Sequence, residues 1–129
     1  MKRILLLIIT LVFSCFIQLG AQDKVSTPKK LPDVLYGTAS YYADKFHGQR
    51  TTNGEIFNQD KMTAACNVLP LGTWIRVTNL KNGRSLVVRV TDRLHPKMKR
   101  VVDLSKAAAK QLGYTKGGLT KVKVEPIKK

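Results

Sequence analysis

The spacing of apolar and polar positions changes twice along the chain. Residues 4–13 are an almost unbroken apolar run behind Met1-Lys2-Arg3, and apolar character continues to Leu19. Gly20-Ala21-Gln22 then offers a small-residue cleavage point, so residues 1–21 read as a secretory signal peptide cut after Ala21. Two alternatives stay open. An uncleaved membrane anchor would need about 20 apolar residues, more than this run holds. Lipidation at Cys15 would place Phe13 in a motif that favours small residues. Residues 22–33 are polar, contain two prolines and read as a linker.

From residue 34 the period becomes two. Residues 34–42, rich in β-branched and aromatic side chains, predict a strand, and 74–80 and 85–91 predict a pair. Lys81-Asn82-Gly83-Arg84 joins the pair as a hairpin turn. Residues 62–65 are a short apolar segment. Residues 101–104 and the alternating 119–124 complete the set. One helix is expected over 106–112, with Ser105 as its N-cap and Gly113 closing it. Residues 43–60 hold glycines, Asn53 and charges and read as a long loop, either functional or disordered. Several short strands with a short helix, over residues 34–126, predict one small closed β-barrel domain.

Composition narrows the function. A chain of 129 residues excludes a two-domain dinucleotide enzyme and a (β/α)₈ barrel, which needs roughly 250 residues. Twenty-three Lys and Arg against eight Asp and Glu give a net charge of +15; cleavage after Ala21 removes Lys2 and Arg3 and leaves +13. Such a surface attracts polyanions. Export and the scatter of the basic residues point to envelope polymers and not to nucleic acid. Cleavage would also leave Cys66 as the one cysteine, buried, paired between chains or chemically used. Cys66, His47 and the acids have no metal-ligand spacing, so no metal is expected, and no cofactor.

Gly37-Thr38-Ala39-Ser40-Tyr41-Tyr42, Phe46-His47-Gly48 and Thr51-Thr52-Asn53-Gly54-Glu55 are followed in order by Thr63-Ala64-Ala65 and Leu69-Pro70-Leu71-Gly72-Thr73. Then come Val77-Thr78-Asn79-Leu80, Asn82-Gly83-Arg84, Asp92-Arg93 and Val102-Asp103-Leu104-Ser105. Over residues 35–125 this series resembles the rare lipoprotein A family. The resemblance implies a mainly β fold: a six-stranded double-psi β-barrel with one or two short helices, related in shape to expansins and barwin proteins. It also implies an exported lytic transglycosylase that cuts peptidoglycan glycan strands in the periplasm or cell envelope, preferring strands without stem peptides. No stable protein partner and no membrane span in the mature form are implied. The family's histidine after Thr-Ala-Ala is Cys66 here, and its Gly-Pro after Asp-Arg is Leu94-His95-Pro96. The resemblance does not extend to a peptidoglycan-binding repeat domain, so septal targeting is not carried over.

Such a lyase protonates the leaving glycosidic oxygen and then takes a proton from the sugar's 6-hydroxyl, so one carboxyl with a raised pKa can serve twice. Asp92, ending a strand, is the first candidate for this acid and base, unless it forms a structural ion pair with Arg93. Glu55 is expected across the groove, orienting substrate or stabilising oxocarbenium charge, or else is a solvated turn residue. Cys66 holds the family's catalytic histidine position; it reads alternatively as a buried, inert thiol, and a cysteine nucleophile with His47 or His95 as base has no spacing to support it. Asp103 reads as support for the helix N-terminus, with a functional carboxylate as its alternative. Tyr42, Phe46, His47, Asn53 and Arg93 are the candidate substrate-binding residues. Tyr41 and Trp74 are expected in the barrel core. A non-catalytic, expansin-like wall-binding module is the competing function.

Overall fold

The computed structural model describes residues 30–128. The expected signal peptide and most of the expected linker lie outside the described residues. Six strands close into a barrel: β1 (Leu35–Tyr41), β2 (Thr63–Ala65), β3 (Trp74–Asn79), β4 (Ser85–Asp92), β5 (Val102–Leu104) and β6 (Thr120–Pro126). Their order around the ring is β1-β5-β2-β4-β3-β6. The β1/β5 and β2/β4 pairs are parallel, and the other four are antiparallel.

The period-two segments fold as their alternation dictates. Val122 and Val124 of β6, Ile75 and Val77 of β3, and Val88 and Val90 of β4 are fully buried, while Lys121, Arg76 and Val87 next to them are exposed. Gly37 interrupts β1 for a local reason: a Cβ there would lie 2.9 Å from Cβ of Val101. Among the described residues no helix is long and apolar enough to cross a membrane.

The helix α1 (Lys106–Leu112) is capped as its sequence predicts. Ser105 Oγ accepts from the amide of Ala108, and Gly113, at φ 80°, donates to the carbonyls of Ala109 and Lys110. Its C-terminus is also held from a distance. The Nδ2 atoms of Asn79 and Asn82 donate to the Leu112 carbonyl at 2.9 and 2.8 Å, and Thr120 Oγ1 donates to Asn79 Oδ1 at 2.7 Å. Asn79 is fully buried, so its removal leaves the Thr120 hydroxyl without this acceptor and the Leu112 carbonyl with Asn82 as its side-chain donor. Asn79→Ala is expected to cost about 3 kcal/mol in urea denaturation; a loss under about 1 kcal/mol would contradict this reading.

The segment 43–60 is ordered. It contains a short 3-10 turn, Asp44–Phe46, and a bridge between Arg50 and Ile56. Gln59 ties it down: Nε2 donates to the Tyr42 carbonyl at 2.7 Å, and Oε1 accepts from the Lys106 amide at 2.8 Å. His47 serves the same packing, its Nδ1 accepting from the Gln59 amide.

Candidate active site

A shift in the β2/β4 register sets the site: Ala64 faces Val90, but Ala65 faces Asp92, passing over Thr91 of β4. Ala65 pairs with Asp92 of β4 on one side and with Asp103 of β5 on the other. Neighbouring strands run about 5 Å apart, so the two aspartates flank one small residue with Cα atoms roughly 10 Å apart. Both line a cleft of about 650 Å³, with Ala65 between them. Tyr42 and Phe46 form one wall; Arg93, Leu94, Met98 and Arg100 contribute others.

Asp92 is gripped by four donors. Oδ1 accepts from the Thr52 amide at 3.0 Å, the Thr52 hydroxyl at 2.6 Å and the Arg93 amide at 2.9 Å. Oδ2 accepts from the Tyr42 hydroxyl at 2.8 Å. Partial burial pushes this carboxyl's pKa up, but the four hydrogen bonds together outweigh it and hold the pKa below the ordinary aspartate value. This corrects the expected raised pKa: Asp92 rests as an anion. Its neighbour Tyr42 is shifted the other way, by burial first and then by its bond to Asp92, so the phenol stays a donor. Tyr42 is fixed in turn by stacking on Phe57, at 4.0 Å between centroids, with Phe46 edge-on at 5.9 Å.

The turn that carries Thr52 is pinned to β4. Asn53 donates its amide to the Thr91 carbonyl, and its Oδ1 accepts from the Thr51 hydroxyl and the Glu55 amide. Glu55 binds Arg89 of β4 at 2.7 and 2.8 Å through its two oxygens. That hydrogen bond is the main reason its carboxyl lies below the ordinary glutamate pKa. Asp103, at the other side of Ala65, is clamped by Arg100 at 2.9 and 3.2 Å.

The predicted residues divide accordingly. Asp92, Tyr42, Phe46 and Arg93 line the cleft; Glu55, Cys66, His47 and Asn53 do not. Glu55 and Asn53 act instead as positioning residues behind Thr52. Arg93 makes no ion pair with Asp92: its Nη1 donates to the carbonyls of Cys66 and Leu69, fixing the turn after β2. Cys66 matches the alternative of a buried thiol. Its side chain is 0% exposed within the barrel core, so the thiol has no access to a ligand in the cleft. Cys66→Ala is therefore expected to leave turnover within about twofold while costing about 1 kcal/mol of stability. A turnover loss of a hundredfold in a folded variant would restore the cysteine to the chemistry.

Two contributors were not predicted, and a third was foreseen only as an alternative. Asp103 faces the cleft and does not merely support α1. Thr52 and Arg100 gave no local signal, because both act through partners fixed by the fold. Trp74, expected in the core, is 37% exposed on the barrel exterior. Tyr41 is half-buried, packing on the core and donating its hydroxyl to the Thr115 carbonyl.

The fold agrees with the comparisons. The family described as lytic transglycolase matches residues 35–124. The endolytic peptidoglycan transglycosylase RlpA of Pseudomonas aeruginosa is 56% identical over 93 residues, 72% of this chain and 27% of that protein. The same-named protein of Rickettsia bellii is 39% identical over 125 residues, covering 89% of this chain and 54% of its own length. The chain thus spans about a quarter to about half of these two relatives' lengths. Among solved structures, the Streptomyces papain inhibitor superposes with a TM-score of 0.61 at 21% identity, over 77% of this chain and all of that one. The apo-expansin of Clavibacter michiganensis superposes with 0.57 at 21%, over 74% of this chain and half of its own. These two likenesses concern the double-psi barrel fold alone. The chain belongs to the lytic transglycolase family.

Proposed function

We propose that this domain is an exported endolytic peptidoglycan transglycosylase, with Asp92 as its acid and base. The observation that carries the reading is Asp92 itself, held by four donors at the mouth of an aromatic-walled cleft. The relatives' names supply the substrate class.

Before the reaction, Asp92 must gain a proton. A sugar ring laid over the cleft removes water from the carboxylate and raises its pKa in the complex. The protonated Asp92 then donates to the glycosidic oxygen as the C1–O bond breaks. The sugar's 6-hydroxyl attacks C1 and returns its proton to Asp92, closing the 1,6-anhydro ring without water. Proton and bond counts balance over the cycle. Asp103, across Ala65, supplies negative charge near the oxocarbenium-like centre, while Tyr42 and Phe46 offer ring faces for the sugars. Strands lacking stem peptides fit the cleft best, because no peptide has to pass its walls.

One feature favours the second reading, a wall-binding module without catalysis: a carboxylate whose hydrogen bonds hold it below the ordinary aspartate pKa is a weaker proton donor at rest. Digestion of intact and peptide-stripped peptidoglycan, with mass analysis of released sugars, separates the two. The lyase reading expects anhydro-ended fragments. Pelleting with the wall and no released sugar would leave only the binder.

A further inference from the structure

We propose that the outer face of β6 and β3 is a second binding surface, which holds a peptidoglycan strand freed of stem peptides while the cleft cuts another. The proposal rests on the lyase reading for its choice of polymer.

The ring order puts β3 and β6 on the far side of the barrel from β5 and β2, which carry Asp103 and Ala65. Strand parity sends Lys121, Lys123 and Glu125 of β6 outward beside Trp74, Arg76 and Thr78 of β3. Registers then fix their neighbours. Tyr36, Lys123 and Thr78 form one cross-strand row, Glu125, Arg76 and Val87 the next, and Trp74 sits beside Arg89 in a third. Neighbouring strands are about 5 Å apart and like-facing residues along a strand about 7 Å, so these side chains form a continuous pad.

The pad is cationic and carries an aromatic ring on either side. Glu125 pairs with Lys123 at 3.2 Å, and Glu55 is taken by Arg89. Lys121 Nζ is braced only by the neutral hydroxyl of Thr38, at 3.0 Å. Glu125 also neighbours Arg76, so Lys121, Lys123, Arg76 and Arg89 against Glu125 and Glu55 leave the pad two positive charges in excess (4 − 2). Tyr36 is 68% exposed on one side and Trp74 is exposed on the other. Removing stem peptides from a glycan strand uncovers a lactyl carboxylate on each muramic acid. A flat pad with cations for carboxylates and ring faces for sugars complements that polymer. Duplex nucleic acid is less well matched, since among the described residues no helix or ribbon projects from the face to enter a groove.

Because β4, which ends on Asp92, adjoins β3, holding one strand on the pad raises the effective concentration of its neighbours at Asp92. The test uses the full chain and two kinds of sacculi, peptide-bearing and peptide-stripped. Lys121→Gln with Arg76→Gln, and separately Trp74→Ala, are made in the Asp92→Asn background for pelleting and in the wild type for turnover. The expected result is about tenfold weaker pelleting on stripped sacculi with a shallower salt dependence, slower digestion of sacculi, and turnover of short soluble glycans within twofold. Unchanged pelleting by thermally stable variants overturns the proposal, as does an equal fall in turnover on short glycans and sacculi. Displacement by duplex DNA at lower concentration than by stripped glycan overturns it in favour of a nucleic-acid partner. A wild type that pellets through this pad but releases no anhydro sugar would refute the lyase reading and leave the surface standing.

Discussion

Asp92→Asn is expected to lower release of anhydro-ended sugars from peptide-stripped peptidoglycan by at least about 10³-fold, in line with removal of a group that transfers protons twice. The amide keeps the shape of the side chain: its oxygen can still accept from Thr52 and Arg93, and its Nδ2 can donate to the Tyr42 hydroxyl oxygen, so the fold and the cleft persist. It can neither deliver a proton to the glycosidic oxygen nor take one from the 6-hydroxyl. Binding to the wall is therefore expected to survive within a few-fold, which separates the variant from an unfolded one. A variant that keeps a tenth or more of wild-type release would move the acid and base to another group, with Asp103 the first to examine, since it lines the same cleft.

The second large effect is on pH dependence. In the free enzyme, Asp92 sits below its ordinary pKa, because the Thr52, Tyr42 and Arg93 donors outweigh partial burial. Its charge therefore stabilises the fold above its unfolded pKa, and that contribution is lost as pH falls through the lower folded value. For activity the sign is opposite, since the first step needs the protonated form: kcat/KM falls as pH rises through the folded pKa. Thr52→Val removes the 2.6 Å hydroxyl bond but keeps the backbone donor. Losing a donor to the anion raises the pKa, so the falling limb of kcat/KM is expected at higher pH than in wild type. The limb of kcat, which reports the complex, is expected above that of kcat/KM in the wild type because sugar covers the carboxylate. A limb that stays in place in Thr52→Val, or moves to lower pH, would mean that the titrating group is not Asp92.

Strands were legible wherever one face is buried and the other wet. The Lys-Val alternation of β6 and the Trp-Ile-Arg-Val series of β3 each have only one way to fold against a core. Asn82-Gly83, Ser105 and Gly113 announced their turn and caps because their conformational preferences are local. Asp92 was legible too, since a strand that ends on a carboxylate places it at a barrel rim. Asp103 was legible only as an alternative, because its place in the cleft depends on the register shift at Ala65, which aligns two strands distant in sequence. Thr52 escaped for a similar reason: its contact with Asp92 spans forty residues and depends on Asn53 and Glu55 gripping β4. Cys66 follows a three-residue strand, too short for alternation to show which way the next side chain turns. Trp74 was misplaced through its size, although parity with Arg76 already put it on the outside.

The account's central claim is that one carboxyl gives a proton and takes one back while no water attacks the sugar. Digestion of peptide-stripped peptidoglycan in water enriched in heavy oxygen tests it most directly. The predicted result is fragments with 1,6-anhydro ends that carry no heavy oxygen. Fragments with reducing ends that have taken up the label would show hydrolysis and contradict the account.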